Sequence, residues 1–251
     1  MSEPIIVREC YIDGTIVEYY MVNGLLHREN APSIIYYYEN GNIKCEEYYI
    51  NGECHRDDGP AQINYNKNGY ITLEEYCING KYHRDNGPAV IQYYENGNIQ
   101  HEKYYLNGRL YRDDKPAYID YYFDGGIETE IYYNIEGELH REDGPAYIIY
   151  YENGKISGEL YRYNGRKHRK DGPAEIHYNK FGNIKNKFYY INSIDLTCEY
   201  NQYRRNLSKQ TIKTENNINK LTIMKIVCKE QNNNELLELV EGAIIALQLS
   251  K

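Results

Sequence analysis

The chain has 251 residues and a formal net charge of −8, so it lacks the basic surplus that drives phosphate neutralisation and argues against nucleic acid as a direct ligand. Tyr occurs 32 times against three Phe and no Trp, and the mean hydropathy of −0.81 argues against a deep apolar core. With Tyr and Ile as strand formers and 20 Gly available for turns, an all-β fold of thin layers is expected.

The opening MSEPIIVREC carries acids and no apolar stretch of the kind a secretory signal needs. No run of about 18 apolar residues follows it, so no membrane span is expected. A cytoplasmic location is the corresponding expectation. Six cysteines (Cys10, Cys45, Cys54, Cys77, Cys198 and Cys228) form no CxxC pair and share no column of the repeat described next. They read as free thiols in a reducing compartment, with no disulfide framework and no zinc site. Heavy use of Asn, Ile, Tyr and Lys, all encoded by AT-rich codons, points to an AT-rich source genome.

From residue 27 one phrase recurs: HRENAP, HRDDGP from His55, HRDNGP from His83, YRDDKP from Tyr111, HREDGP from His140 and HRKDGP from His168. The spacing is 28 residues, with one of 29. Such a period marks a repeat architecture. Two turn signals recur within each repeat. One is Asn40-Gly41, Asn68-Gly69, Asn96-Gly97, Asp124-Gly125 and Asn153-Gly154, with Phe181-Gly182 as a degraded copy. The other is Asn23-Gly24, Asn51-Gly52, Asn79-Gly80, Asn107-Gly108 and Asn164-Gly165, with Glu136-Gly137 carrying the one-residue insertion. Asn-Gly is a strong hairpin signal because both residues tolerate positive φ.

Between the turns lie two strand-like runs. In the first, alternation places on one face a small residue (Ser33, Ala61, Ala89, Ala117, Ala146, Ala174), then Ile35, Ile63, Ile91, Ile119, Ile148 and Ile176, then Tyr37, Tyr65, Tyr93, Tyr121, Tyr150 and Tyr178. The second run carries Glu18, Glu46, Glu74, Glu102, Glu130 and Glu159, each two residues before a seven-fold Tyr column from Tyr20 to Tyr189. A uniform face against a mixed one predicts one buried and one solvated side. Successive hairpins are expected to add side by side into a single-layer antiparallel meander of roughly 12–14 strands, on the order of 60 Å long and twisted.

The phrase EEYYINGECHRDDGPAQINYNKNGY from Glu46 resembles a MORN repeat and YwqK-type antitoxin repeats, and most of all the NG-x-x-HRxDGPA repeats of bacteriophages and giant viruses. The resemblance covers residues 11–192. It departs from typical MORN repeats in its longer unit and in Arg-Asp-Asp-Gly-Pro replacing a short Gly-rich link. It implies a mainly β, MORN-like repeat ribbon with a scaffold or binding role and no catalytic residues.

His-Arg-Asp also opens a protein-kinase catalytic loop, but neither a Gly-rich phosphate loop nor Asp-Phe-Gly accompanies it, and six copies do not suit one active site. The His column does not read as a metal site, because equivalent positions lie about 9.5 Å apart, two strands on. The fixed charge is Arg28, Arg56, Arg84, Arg112, Arg141 and Arg169. Pairing of each Arg with a repeat Glu (Glu46, Glu74, Glu102, Glu130 and their equivalents) is expected, with Asp-Asp-Gly-Pro as the turn and its Gly at positive φ. The Tyr37-to-Tyr178 column is the candidate binding face, since Tyr supplies large contact area at low entropic cost. The rival reading is that it covers the sheet in place of a second layer.

After Asn192-Ser193 the repeat ends, dividing the chain into 1–192 and 193–251. Residues 193–217 read as linker, a short helix is expected from Ile218, and a longer one capped by Asn234. Leu236, Leu237, Val240, Ile244 and Leu247 follow helical spacing, as a stripe that either covers the last strand or docks a partner. The resulting expectation is a non-enzymatic interaction scaffold needing no cofactor or metal, a subunit of a larger viral assembly, with protein partners and self-association open to it. The alternative is an antitoxin-like inhibitor that occludes a partner enzyme.

Overall fold

The computed structural model describes residues 4–12 and 14–250. The chain is mainly β, an antiparallel meander with a helical segment at its C-terminal end, as the period-two columns predict. It divides into two compact units, Met1–Gly137 and Glu138–Lys251.

In the N-terminal unit the strands Ile5–Cys10, Ile16–Val22, Ile34–Tyr37, Ile43–Glu47, Gln62–Tyr65, Ile71–Glu75, Val90–Tyr93, Ile99–Lys103, Tyr118–Tyr121 and Ile127–Ile131 pair antiparallel in chain order. The register runs Glu18↔Ile35↔Glu46↔Ile63↔Glu74↔Ile91↔Glu102↔Ile119↔Glu130 across the sheet. Each Ile is thus flanked by two Glu, and the Ile column and the small column are buried. The small residue bonds to both neighbouring strands: Ala61 N–H donates to the Glu75 carbonyl at 2.7 Å and its own carbonyl accepts from Tyr48 N–H at 2.7 Å.

The two Asn-Gly signals make different turns. Asn51 (φ 51°) and Gly52 (φ 83°) are both left-handed, the type I′ geometry of a two-residue hairpin, and each such turn closes a two-residue ladder such as Tyr49–Ile50 with Glu53–Cys54. At Asn40-Gly41 only Gly41 is left-handed, and Gly41 N–H donates to the Tyr38 carbonyl at 2.9 Å. This is a type I turn followed by a bulge. One extra residue (Lys44, then Thr72, Gln100 and Glu128) stands unpaired in each second strand.

In the C-terminal unit the strands Tyr147–Tyr150, Ile156–Leu160, Glu175–Tyr178 and Ile184–Phe188 repeat this pattern. The hairpin series runs past residue 192: Asn192 (φ 50°) and Ser193 (φ 66°) form the turn of a further ladder, Tyr190–Ile191 with Ile194–Asp195. Helices α1 (Thr197–Asn206), α2 (Lys209–Thr214), α3 (Ile218–Glu230) and α4 (Asn234–Leu249) follow directly. The stretch expected to be linker therefore holds two helices. Their polar sequences bury only Tyr200, Tyr203 and Ile212, too few positions for a helical period to show, and the Ser208 side chain caps α2 by accepting from Thr211 N–H. Asn233 rather than Asn234 caps α4, accepting from Leu236 N–H at 3.1 Å.

Candidate functional site

The HRDDGP joint is built on an aromatic stack. In five of the joints the guanidinium carbon sits over the ring of a column Tyr: Arg28 over Tyr20 at 3.8 Å, Arg56 over Tyr48 at 4.1 Å, Arg84 over Tyr76 at 3.8 Å, Arg112 over Tyr104 at 3.7 Å and Arg169 over Tyr161 at 3.8 Å. One Nη1 donates to the carbonyl of the following Pro, at 3.2 Å for Pro32, Pro60 and Pro88 and 3.4 Å for Pro145 and Pro173. Arg56 and Arg169 also donate from Nε to Asp58 and Asp171, at 2.9 and 2.8 Å. In the five joints where the stack is present, the guanidinium makes these contacts in place of the expected pair with a repeat Glu.

The Glu carboxylates are taken by another donor. Glu18, Glu46, Glu74, Glu102 and Glu159 accept from the hydroxyls of Tyr37, Tyr65, Tyr93, Tyr121 and Tyr178 at 2.7–3.2 Å. The register explains the choice, since each Glu lies beside the Ile that precedes that Tyr by two positions. Burial, reinforced by the adjacent carboxylate, pushes these five phenols above their ordinary range. Glu130 lies opposite Ile119 in the same row, and Tyr150 is half-buried opposite Ile156. The candidate binding column is therefore half-buried, with five of its hydroxyls committed within the sheet. A second set of tyrosines braces neighbouring repeats: the Tyr38, Tyr94 and Tyr151 hydroxyls donate to the carbonyls of Tyr65, Tyr121 and Tyr178.

The Gly of the joint serves space rather than positive φ. A Cβ at Gly59 or Gly87 would lie 2.9 or 3.1 Å from the guanidinium carbon of Arg56 or Arg84, and neither residue is left-handed. Where Ala31 and Lys115 replace this Gly, the preceding residue turns left-handed instead, at Asn30 (φ 58°) and Asp114 (φ 49°).

The His column has a role that its sequence reading missed. Nδ1 of His27, His55, His83, His140 and His168 accepts the backbone N–H of Asn51, Asn79, Asn107, Asn164 and Asn192, at 3.1–3.3 Å, in the next repeat's turn. In His55 and His83 the other ring nitrogen faces Asp57 and Asp85, at 3.2 and 3.1 Å. The one substitution, Tyr111, precedes the one irregular turn, where Gly137 N–H closes onto the Asn134 carbonyl. Coincidence of the lost His with the lost Asn-Gly was the available signal.

Between successive joints the surface folds into grooves of like construction. One of about 420 Å³ is lined by Arg28, Tyr48, Ile50, His55 and Asp58, and a second of about 420 Å³ by Arg56, Tyr76, Ile78, His83 and Asp85. Each combines an Ile and a column Tyr with side chains of both charge signs. The C-terminal unit carries one of about 590 Å³ in which Tyr163 and Lys170 stand where Ile78 and Asp85 stand above, and to which Arg162 is added. Among the described residues, no three His, Cys, Asp or Glu side chains are grouped to hold a metal.

The stripe on α4 faces inward. Leu236 and Val240 are buried, and Leu237, Ile244 and Leu247 pack on the same core, which includes Tyr189, Ile191, Tyr200, Leu221 and Val227. Tyr189 stacks on Tyr200 with centroids 3.7 Å apart, and both hydroxyls donate to Glu230. The helices thus cover the last repeat around Tyr189, while Ile184, Lys185 and Asn186 stay exposed. Ile245 and Leu249 are the large apolar residues that α4 leaves in solvent. None of the described helices is long and apolar enough to cross a membrane. No protein-family model matches the chain, and no curated protein matches it.

Proposed function

We propose that the protein is a non-enzymatic scaffold of MORN-like repeats that holds a protein partner across successive repeats, as a subunit of a larger viral assembly in the host cytoplasm. The observation that carries this reading is the recurrence of the groove between joints. Repeats two strands apart set the grooves about 9.5 Å from one another, close to the reach of three residues of extended polypeptide at about 3.3 Å each. A partner strand crossing the joints would meet an Ile, a guanidinium and a carboxylate at each of these grooves. The test is co-purification from native extract with the full-length chain carrying Ile50→Asp and Ile78→Asp, beside one carrying Ile245→Asp and Leu249→Asp. Partner loss in the first alone supports the reading, and retention there with loss in the second overturns it.

A second reading, an inhibitor that occludes a partner enzyme, is favoured by charge. The N-terminal unit has 11 Lys and Arg against 23 Asp and Glu, a net of −12, which suits a basic partner face. A one-to-one complex that abolishes the partner's activity and weakens with salt would establish it over the scaffold.

A further inference from the structure

Two repeat columns meet across the boundary between neighbouring repeats. One is the residue before the joint His or Tyr: Leu26, Cys54, Tyr82, Leu110, Leu139, Lys167. The other follows the stacked Tyr in the next repeat: Tyr49, Cys77, Tyr105, Tyr133, Arg162, Tyr190. In two of these pairs the side chains are seen to touch: the Tyr82 and Tyr105 rings lie 5.1 Å apart between centroids, and Lys167 Nζ lies 4.6 Å over the Tyr190 ring. The Cys54–Cys77 pair sits in the same backbone frame. Gly80 N–H donates to the Cys54 carbonyl at 2.9 Å and Arg56 N–H to the Cys77 carbonyl at 3.1 Å, like Gly52 to Leu26 at 2.8 Å and Arg28 to Tyr49 at 3.2 Å. Cysteine occupies both members of this one pair and neither column anywhere else.

From this placement we propose that Cys54 and Cys77 form an oxidisable dithiol site that takes a low-molecular-weight disulfide as its substrate and closes to an intramolecular disulfide. The two thiols divide the work. Cys54 is half-buried and Cys77 buried, so Cys54 meets the reagent. The neighbouring Cys77 thiol holds the pKa of Cys54 down, and the same interaction, with burial, raises that of Cys77. Cys45 does not compete, because burial and Glu47, 3.8 Å from its Sγ, push its thiol up to about 12. In the first step the Cys54 thiolate attacks one sulfur of the disulfide; that S–S bond breaks and half the reagent leaves as a thiol. In the second, Cys77 gives up its proton and attacks Cys54 Sγ, expelling the other half as a thiol that takes the proton. The chain loses two electrons and the reagent gains them. The product bond ties one repeat to the next.

The experiment treats the full-length chain with glutathione disulfide, blocks remaining thiols with N-ethylmaleimide and maps it by mass spectrometry. Digestion combines trypsin with a Glu-specific protease, which separates Cys45 from Cys54. The expected result is a Cys54–Cys77 linked peptide, two hydrogens lighter than its parts, while exposed Cys10 and Cys198 carry only mixed disulfides or the blocking group. Cys77→Ser should instead trap glutathione on Cys54, and Cys54→Ser should leave Cys77 blocked by the maleimide alone. A wild-type chain that stops at mixed disulfides, with Cys54 and Cys77 never joined, overturns the proposal, and that measurement needs no variant to fold.

Discussion

Replacing Arg84 with Met tests what the joint is made of. The substitution keeps an aliphatic body over the Tyr76 ring but removes the cation, which lies 3.8 Å from its centroid, and the 3.2 Å bond to the Pro88 carbonyl. A half-buried cation–π contact contributes about 1 kcal/mol and a charged hydrogen bond about 1.5 kcal/mol or more. Water can reach the carbonyl once the side chain shortens, and part of the second contribution returns. The net cost should be about 2 kcal/mol, a fall in Tm of about 4–8 °C for a chain of this size. The decisive measurement is a pair of double-mutant cycles by urea denaturation. Arg84→Met with Tyr76→Leu should show a coupling of about 1 kcal/mol, and Arg84→Met with Glu74→Gln about zero, because the Glu74 carboxylate is occupied by the Tyr93 hydroxyl at 2.7 Å. A larger coupling of Arg84 to Glu74 than to Tyr76 would refute the stack as the source of the Arg column.

Gly87→Ala should cost about 1 kcal/mol, since its Cβ meets Arg84 but Asn86 can turn left-handed as Asn30 does; Gly59→Ala should cost more, because Asp58 would have to release Arg56. Equal or reversed costs in denaturant unfolding would contradict that account. Ser193→Gly should stabilise by about 0.5–1 kcal/mol, the left-handed cost at φ 66° less the entropy of Gly, and an unchanged Tm would speak against it. The tyrosines predict alkaline unfolding. Burial raises the phenols of Tyr65, Tyr93, Tyr121 and Tyr178, and pushes Tyr36 up to about 12, so the folded state favours the protonated form. That stabilisation is complete below the unfolded value of about 10 and is lost as pH rises above it. Phenolate absorbance should therefore appear together with loss of the β signal in circular dichroism; gradual ionisation near pH 10 with the sheet intact would count against it.

Strands and turns were legible because each is local. Alternation in AVIQYY and the Asn-Gly pairs determine them within a few residues. The bulge was not legible, since Asn40-Gly41 and Asn51-Gly52 are the same dipeptide, and what separates their turns is the length of strand on either side. Alternation placed Arg84's neighbours correctly on one face without saying which it would choose. That choice is a competition in three dimensions. Tyr93 reaches Glu74 from the adjacent strand, and the ring of Tyr76 is then the surface left for the guanidinium. The α4 stripe was legible as a stripe, but its direction depends on Tyr189, Tyr200 and α3, which share no local pattern with it.

Departures from the repeat separate into two kinds. Some are compensated inside the fold: Ala31 comes with a left-handed Asn30, Lys115 with a left-handed Asp114, and Tyr111 with a turn that no longer offers the Asn N–H. These restore one backbone solution by another route and carry no message for a partner. Others leave the backbone untouched. Asn164 and Gly165 keep φ of 46° and 72°, beside 49° and 72° at Asn79 and Gly80, yet the groove next to them exchanges Ile78 and Asp85 for Tyr163 and Lys170 and adds Arg162. A change that the fold neither requires nor answers alters only what the surface presents, and here it replaces an acid with bases. By the same logic Cys54 and Cys77, which replace a contact of larger side chains with two thiols while the hydrogen bonds around them persist, alter chemistry without altering architecture.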